Sequence, residues 1–80
     1  MEIDYKIIES KEQLIQLIQQ LSVEDTADWE NISTQEFLEA LGAWLGSAEN
    51  FYSNLNLDTD ANTPSWQLFA DALKAATIYE

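Results

Sequence analysis

The run Thr63-Pro64-Ser65-Trp66-Gln67-Leu68-Phe69-Ala70-Asp71-Ala72-Leu73-Lys74-Ala75-Ala76-Thr77-Ile78-Tyr79-Glu80 decides the fold. It reads as one helix over 64–79. Pro64 suits a first helical position, where its missing N–H costs nothing, and Thr63 before it can cap. Trp66, Phe69, Ala70, Leu73 and Thr77 recur at helical spacing and define one apolar face. Leu68, Ala72, Ala75 and Tyr79 make a second stripe, which leaves Gln67, Asp71 and Lys74 for solvent. A helix this apolar around its girth is covered on more than one side. Four alanines at 70, 72, 75 and 76 let neighbours approach closely. Trp66 is the expected core anchor.

Working outward, two further helices are needed as the cover. Ser10 and Gln13 form a capping box ahead of a helix over 11–22. Leu14, Ile15, Leu17, Ile18 and Leu21 give its apolar stripe, and Gln16, Gln19 and Gln20 face water. The pattern lasts too few heptads for a coiled coil. Ser33 and Glu36 form a second capping box, opening a helix over 34–45. Its buried face is Phe37, Leu38, Leu41, Trp44 and Leu45. Gly46 is the expected stop, and Gly42 marks a close helix contact. Over 47–57, the step from Phe51 to Leu55 suits one or two short helical turns, with Tyr52 and Leu57 alongside. Residues 58–63 are a polar loop. The fold class is therefore all-α, a small bundle of three main helices plus a short helical turn, in a single domain over 1–80. Residues 1–9 alternate at Ile3, Tyr5 and Ile7, and no second strand is evident. They are expected as an extended arm laid on the helices; pairing across a dimer is the alternative.

Composition excludes much. With 80 residues, the chain makes one domain with a small core. It has no Cys and no His, so neither a disulfide framework nor a Cys/His zinc site is available. No signal peptide is evident, because Glu2 and Asp4 are acidic and no long apolar run follows. No segment approaches the length of a membrane span. The expected compartment is the cytoplasm. Fifteen acids against three lysines give a net charge of -12. That argues against nucleic acid and anionic membrane as partners and permits a basic protein as one, while the plainer use of the charge is to keep a small protein soluble.

Motifs for chemistry are sparse. Asp58-Thr59-Asp60-Ala61-Asn62 resembles the opening of an EF-hand loop. Thr63 stands where the turn glycine belongs, and Phe69 where the bidentate Glu belongs, so no tight calcium site is expected. Asp and Asn here turn the chain and cap the next helix. Without His, Cys or Arg, the usual nucleophile–base pairs and phosphate clamps are missing. With only Gly42 and Gly46 there is no Gly-rich phosphate loop. No enzyme activity, cofactor or resident metal is expected.

The linker over 23–32 is the candidate site. Glu24, Asp25, Asp28 and Glu30 surround Trp29, with Glu36 and Glu39 joining from the next helix. An aromatic anchor ringed by acids combines a hot spot with electrostatic steering. A Trp in a charged loop more usually plugs the core like a lid, and Trp29 then sits above a solvated loop; the anchor is the functional alternative. The expected function is a non-catalytic protein-interaction module, of inhibitor or immunity type, for a basic protein. The alternatives are a small-ligand or weak cation binder at 47–63, and a purely structural homodimer. The oligomeric state is open between monomer and homodimer.

Three segments carry a family resemblance. They are Trp29-Glu30-Asn31, then Phe37-Leu38-x-Ala40 with Ala43-Trp44-Leu45, then Trp66-x-x-Phe69-Ala70-x-x-Leu73-x-Ala75-Ala76-x-Ile78-Tyr79-Glu80. The pattern resembles a family of short acidic bacterial proteins of unknown function, over most of residues 10–80. Its most specific part is the closing Ala-Ala-x-Ile-Tyr-Glu. The resemblance implies a self-contained domain, and it brings no activity and no catalytic residues.

Overall fold

A computed structural model of the chain describes residues 5–79, with Asp28 described by its backbone alone. Three helices are present: α1 (Lys11–Val23), α2 (Thr34–Asn54) and α3 (Trp66–Ala76). A 3₁₀ turn, Thr26–Asp28, lies between α1 and α2. Among the described residues α1 and α2 each pack on α3 and not on one another. The C-terminal helix is thus the central one, as its apolar girth requires. The fold is all-α, and no strand occurs among the described residues. Of the expected arm, residues 5–9 lie against the helices, and residues 1–4 fall outside the described residues.

The helix starts follow local capping chemistry. Ser10 Oγ accepts the Gln13 N–H at 3.2 Å, and the Gln13 side chain accepts from the Glu9 N–H at 2.6 Å. Ser33 and Glu36 form the reciprocal box, with Ser33 Oγ accepting the Glu36 N–H at 3.1 Å. α3 begins two residues later than expected. Ser65 is its cap, accepting the Leu68 N–H at 3.0 Å, so Pro64 and Thr63 precede the helix. Thr63 instead donates its hydroxyl to Asp60, at 2.6 Å. α3 also ends earlier, at Ala76.

α2 corrects the expected break at Gly46. The helix runs unbroken through both glycines to Asn54 and absorbs the short helix expected over 47–57. Ala40, Trp44, Ala48 and Tyr52 recur at every fourth position, and all four are buried. Burial of that stripe against α3 outweighs the roughly 1 kcal/mol that a glycine costs inside a helix. Nothing lies within 4 Å of where a Cβ would stand on Gly42 or Gly46, so Gly42 marks no close helix contact. The true stop is Asn56, at φ 55. Its N–H donates to Ser53 O at 3.2 Å and the Leu57 N–H to Tyr52 O at 2.9 Å, the Schellman arrangement with Asn in the left-handed position.

The core has two parts. Trp44, Ala48, Tyr52, Ala72 and Ala75 form one, with Phe51, Leu68 and Tyr79 packed against it. Trp44 stacks on Phe51 at 5.9 Å and meets Tyr52 edge-on at 5.8 Å. Its Nε1 is buried without a hydrogen-bond partner among the described residues, a cost that these ring contacts offset. Ile8, Leu14, Leu17 and Ala70 form the second part, between arm, α1 and α3.

The facing of α3 differs from its expected wheel. Trp66 is 44% and Phe69 49% exposed, whereas Asp71 is only 1% exposed. The buried positions are Ala70, Asp71, Ala72, Ala75 and Ala76. Small side chains let α1 and α2 approach α3 closely, and the bulky aromatics project past that contact. Trp66 is therefore not the core anchor; Trp44 is. Ile15, Ile18, Leu38 and Leu45, expected in buried stripes, are likewise exposed.

Candidate functional site

The loop that carries Trp29 is tied to the end of α3. The backbone N–H groups of Glu30 and Asn31 both donate to Thr77 O, at 2.8 and 3.1 Å. Asn31 Nδ2 donates to Ala76 O at 3.0 Å and to Tyr79 O at 2.7 Å. These bonds satisfy the carbonyls of Ala76 and of the C-cap Thr77, which a helix end leaves without partners, and that of Tyr79 just beyond. The loop is thus held by the C-terminus it faces, across 45 residues of chain or more.

Trp29 itself is half-buried. Its ring lies 6.2 Å from Phe37 of α2, tilted by 31°. Its Nε1 donates to Glu24 Oε1 at 3.3 Å. It belongs to neither core cluster. The acids around it have different local duties. Asp25 Oδ1 accepts the Ala27 N–H at 2.9 Å and so caps the 3₁₀ turn. Glu36 is engaged in the capping box with Ser33. Glu30 and Glu39 are exposed. The side chain of Asp28 lies outside the described residues. Phe51 forms no aromatic surface with Trp29: it is half-buried between Trp44 and Tyr79.

A polar network runs through the other end of α3. Tyr52 Oη donates to Asp71 Oδ2 at 2.6 Å, and Gln67 Nε2 donates to Asp71 Oδ1 at 3.0 Å. The same Gln67 Nε2 donates to Lys6 O at 2.9 Å, and Gln67 Oε1 accepts the Ile8 N–H at 2.7 Å. The Tyr5 ring meets Tyr52 edge-on at 6.1 Å. Burial, then the bond to Asp71 and its charge, push the Tyr52 hydroxyl far above the usual tyrosine range. Burial, then the charge of Asp71, raise Tyr5 as well. Gln67 and Asp71, read from the sequence as solvent-facing, are the residues that dock the arm. Their i, i+4 spacing was the available signal, since it places an amide and a carboxylate side by side on one helix face.

Beside this network, an open groove of about 540 Å³ separates the arm from the 57–65 segment. Asp60, in its wall, uses both oxygens locally. Oδ1 accepts the Asn62 N–H at 2.9 Å and Oδ2 the Thr63 hydroxyl at 2.6 Å. These two bonds, the Thr63 one first, hold the Asp60 carboxyl below the usual carboxylate range. This is the turn-and-cap role expected of Asp in 58–63. Among the described residues no group of three or more His, Cys, Asp or Glu is placed to hold a metal ion. Nor is any helix there long and apolar enough to cross a membrane.

These features define a small acidic all-α domain built on a central C-terminal helix. The chain belongs to DUF7660, a family of unknown function, whose family model matches residues 10–80. No match is found among curated proteins or among solved structures.

Proposed function

We propose that this domain is a non-catalytic protein-interaction module of the cytoplasm, an inhibitor or immunity-type partner that covers a basic protein surface. The observation that supports this reading is Trp29. It is half-buried on Phe37 and donates to Glu24. Asp25 and Glu30 lie near it in the chain with exposed side chains, and Glu36 and Glu39, exposed as well, come from the helix that carries Phe37. A partly fixed aromatic in an acidic stretch of chain suits an anchor with electrostatic steering. The net charge of -12 makes a cationic surface the complementary one.

The test is affinity capture from native lysate at low salt, with identification of what elutes as salt rises, followed by kinetics on the purified pair. Trp29→Ala should mainly raise the off-rate, and Glu30→Gln with Glu39→Gln should mainly lower the on-rate. Among the described residues neither glutamate makes a cap or a hydrogen bond through its side chain, so those changes leave the fold alone. An on-rate indifferent both to salt and to the two glutamates overturns the reading. The small-ligand alternative draws support from the groove beside the 57–65 segment. The weak-cation version of it draws none from Asp60, whose oxygens are already engaged.

A further inference from the structure

We propose that the groove between the arm and the 57–65 segment is a docking site for an extended basic segment of a partner protein, added as a strand along the Ile7 edge of the arm. This rests on the reading of the domain as a binder of basic proteins, and it assigns that binding a second site, away from Trp29.

The carrying observation is the way Gln67 holds the arm. One side-chain amide donates to Lys6 O and accepts from the Ile8 N–H. A residue in a parallel sheet reads its neighbour strand in this manner, bonding the residues on either side of the one opposite. The residue between them turns its own N–H and C=O to the other edge. Here that residue is Ile7. Its backbone makes no hydrogen bond among the described residues, and its side chain is 68% exposed and lines the groove. Gln67 therefore pairs one edge of the arm, and the opposite edge is open at Ile7.

An open backbone edge is a template for strand addition. This one is preorganised. Ile8, only 6% exposed, is fixed in the second core cluster, and Tyr5 is held on Tyr52. The Glu9 N–H is engaged by Gln13. Ordering of the arm is thus not a cost that an incoming segment must meet.

Charge selects the occupant. Glu9 and Asp58, whose carboxylates make no hydrogen bond among the described residues, line the groove; Asp60 and Asp71 add negative charge there although their oxygens are engaged, and no Lys or Arg lines it. The low-lying Asp60 carboxyl stays ionised at any physiological pH. A second copy of this chain, at -12, would be repelled. An extended segment with alternating Lys or Arg meets both demands, backbone pairing at Ile7 and cations toward the carboxylates.

The experiment uses the whole protein, isotope-labelled, titrated with an octapeptide of alternating Lys and Val at low ionic strength and followed by NMR. Controls are the Glu/Val counterpart and a Lys/Val peptide N-methylated at alternate amides. The expected result is saturable binding of the Lys/Val peptide, with the largest shifts at Ile7, Glu9 and Thr59. Ile7→Pro removes the Ile7 N–H while leaving Lys6 O and the Ile8 N–H in place, and it should weaken binding by about tenfold. Glu9→Gln with Asp58→Asn should weaken it to a similar extent, and Trp29→Ala should not. Parent-like melting of each variant secures the comparison. Equal binding by the methylated peptide, or by Ile7→Pro, overturns the inference, as does shift mapping to the Trp29 loop. The last result leaves the Trp29 reading standing. Absence of any binding by the Lys/Val peptide also overturns the groove site, while the reading of Trp29 is decided separately by the captured partner.

Discussion

Tyr52→Phe removes one oxygen from the centre of the molecule and tests the buried network directly. Tyr52 is 2% and Asp71 1% exposed, and their bond is 2.6 Å long. A hydrogen bond to a charged group contributes about 1.5–3 kcal/mol, and the cost of leaving Asp71 Oδ2 short of a donor falls in the same range. The phenyl ring itself still fits, so no cavity adds to the loss. For a domain of this size each kcal/mol moves the midpoint by about 4–8 °C, so the variant should melt roughly 6–24 °C lower at pH 7. Calorimetry with circular dichroism measures this.

The bond also predicts a pH dependence. The Tyr52 hydroxyl is raised above its ordinary value in the folded protein. Its contribution is fully present below the unfolded tyrosine pKa of about 10, and is lost as pH climbs above that toward the folded value. The parent should therefore lose stability more steeply than Tyr52→Phe above about pH 10, and the two melting curves should converge. In an Asp71→Asn background, Tyr52→Phe should cost about 1 kcal/mol or less, because the charge that strengthens the bond is gone. A Tyr52→Phe protein melting within about 3 °C of the parent at pH 7 refutes the reasoning. So do parallel pH profiles for the two proteins.

Trp44→Ala should cost about 3–5 kcal/mol and come close to unfolding the domain, whereas Trp66→Ala should cost about 1 kcal/mol, since Trp66 is already 44% exposed. Urea titration of both variants separates core anchor from surface aromatic; the reverse order would contradict the observed facing of α3. Asn31→Ala should cost about 1–2 kcal/mol and speed amide exchange at 77–79, because two carbonyls lose their donor. Asn31→Asp should be worse, as it sets a negative charge against the negative end of α3. Gly46→Ala should raise stability by about 0.5–1 kcal/mol, given the helical backbone and the open space around the site; a lower melting point would mean that α2 is broken there after all.

The elements that the sequence determined alone are those set by short-range chemistry. Ser10 and Ser33 start helices because a hydroxyl three residues ahead of an amide satisfies it wherever the rest of the chain goes. The apolar residues on more than one side of 66–76 called for a helix with neighbours on more than one side, which α3 has in α1 and α2. Asp60 turns the chain through bonds to Asn62 and Thr63, its own neighbours.

What only the tertiary structure decided depended on contacts distant in sequence. Gly46 reads as a stop, yet α2 passes it because Ala48 and Tyr52 find α3 on the far side. Asp71 reads as solvent-facing, yet it is buried because Tyr52, 19 residues away, supplies a donor. Trp66 and Phe69 read as core, yet alanines hold the helix contacts and leave the large rings outside. Asn31 carries no periodic signal at all, and its role exists only where its loop meets the end of α3. A helical wheel ranks residues by hydrophobicity around one axis. Which side of that axis is covered is settled by how close the neighbouring backbones come, and here small residues let them come closest.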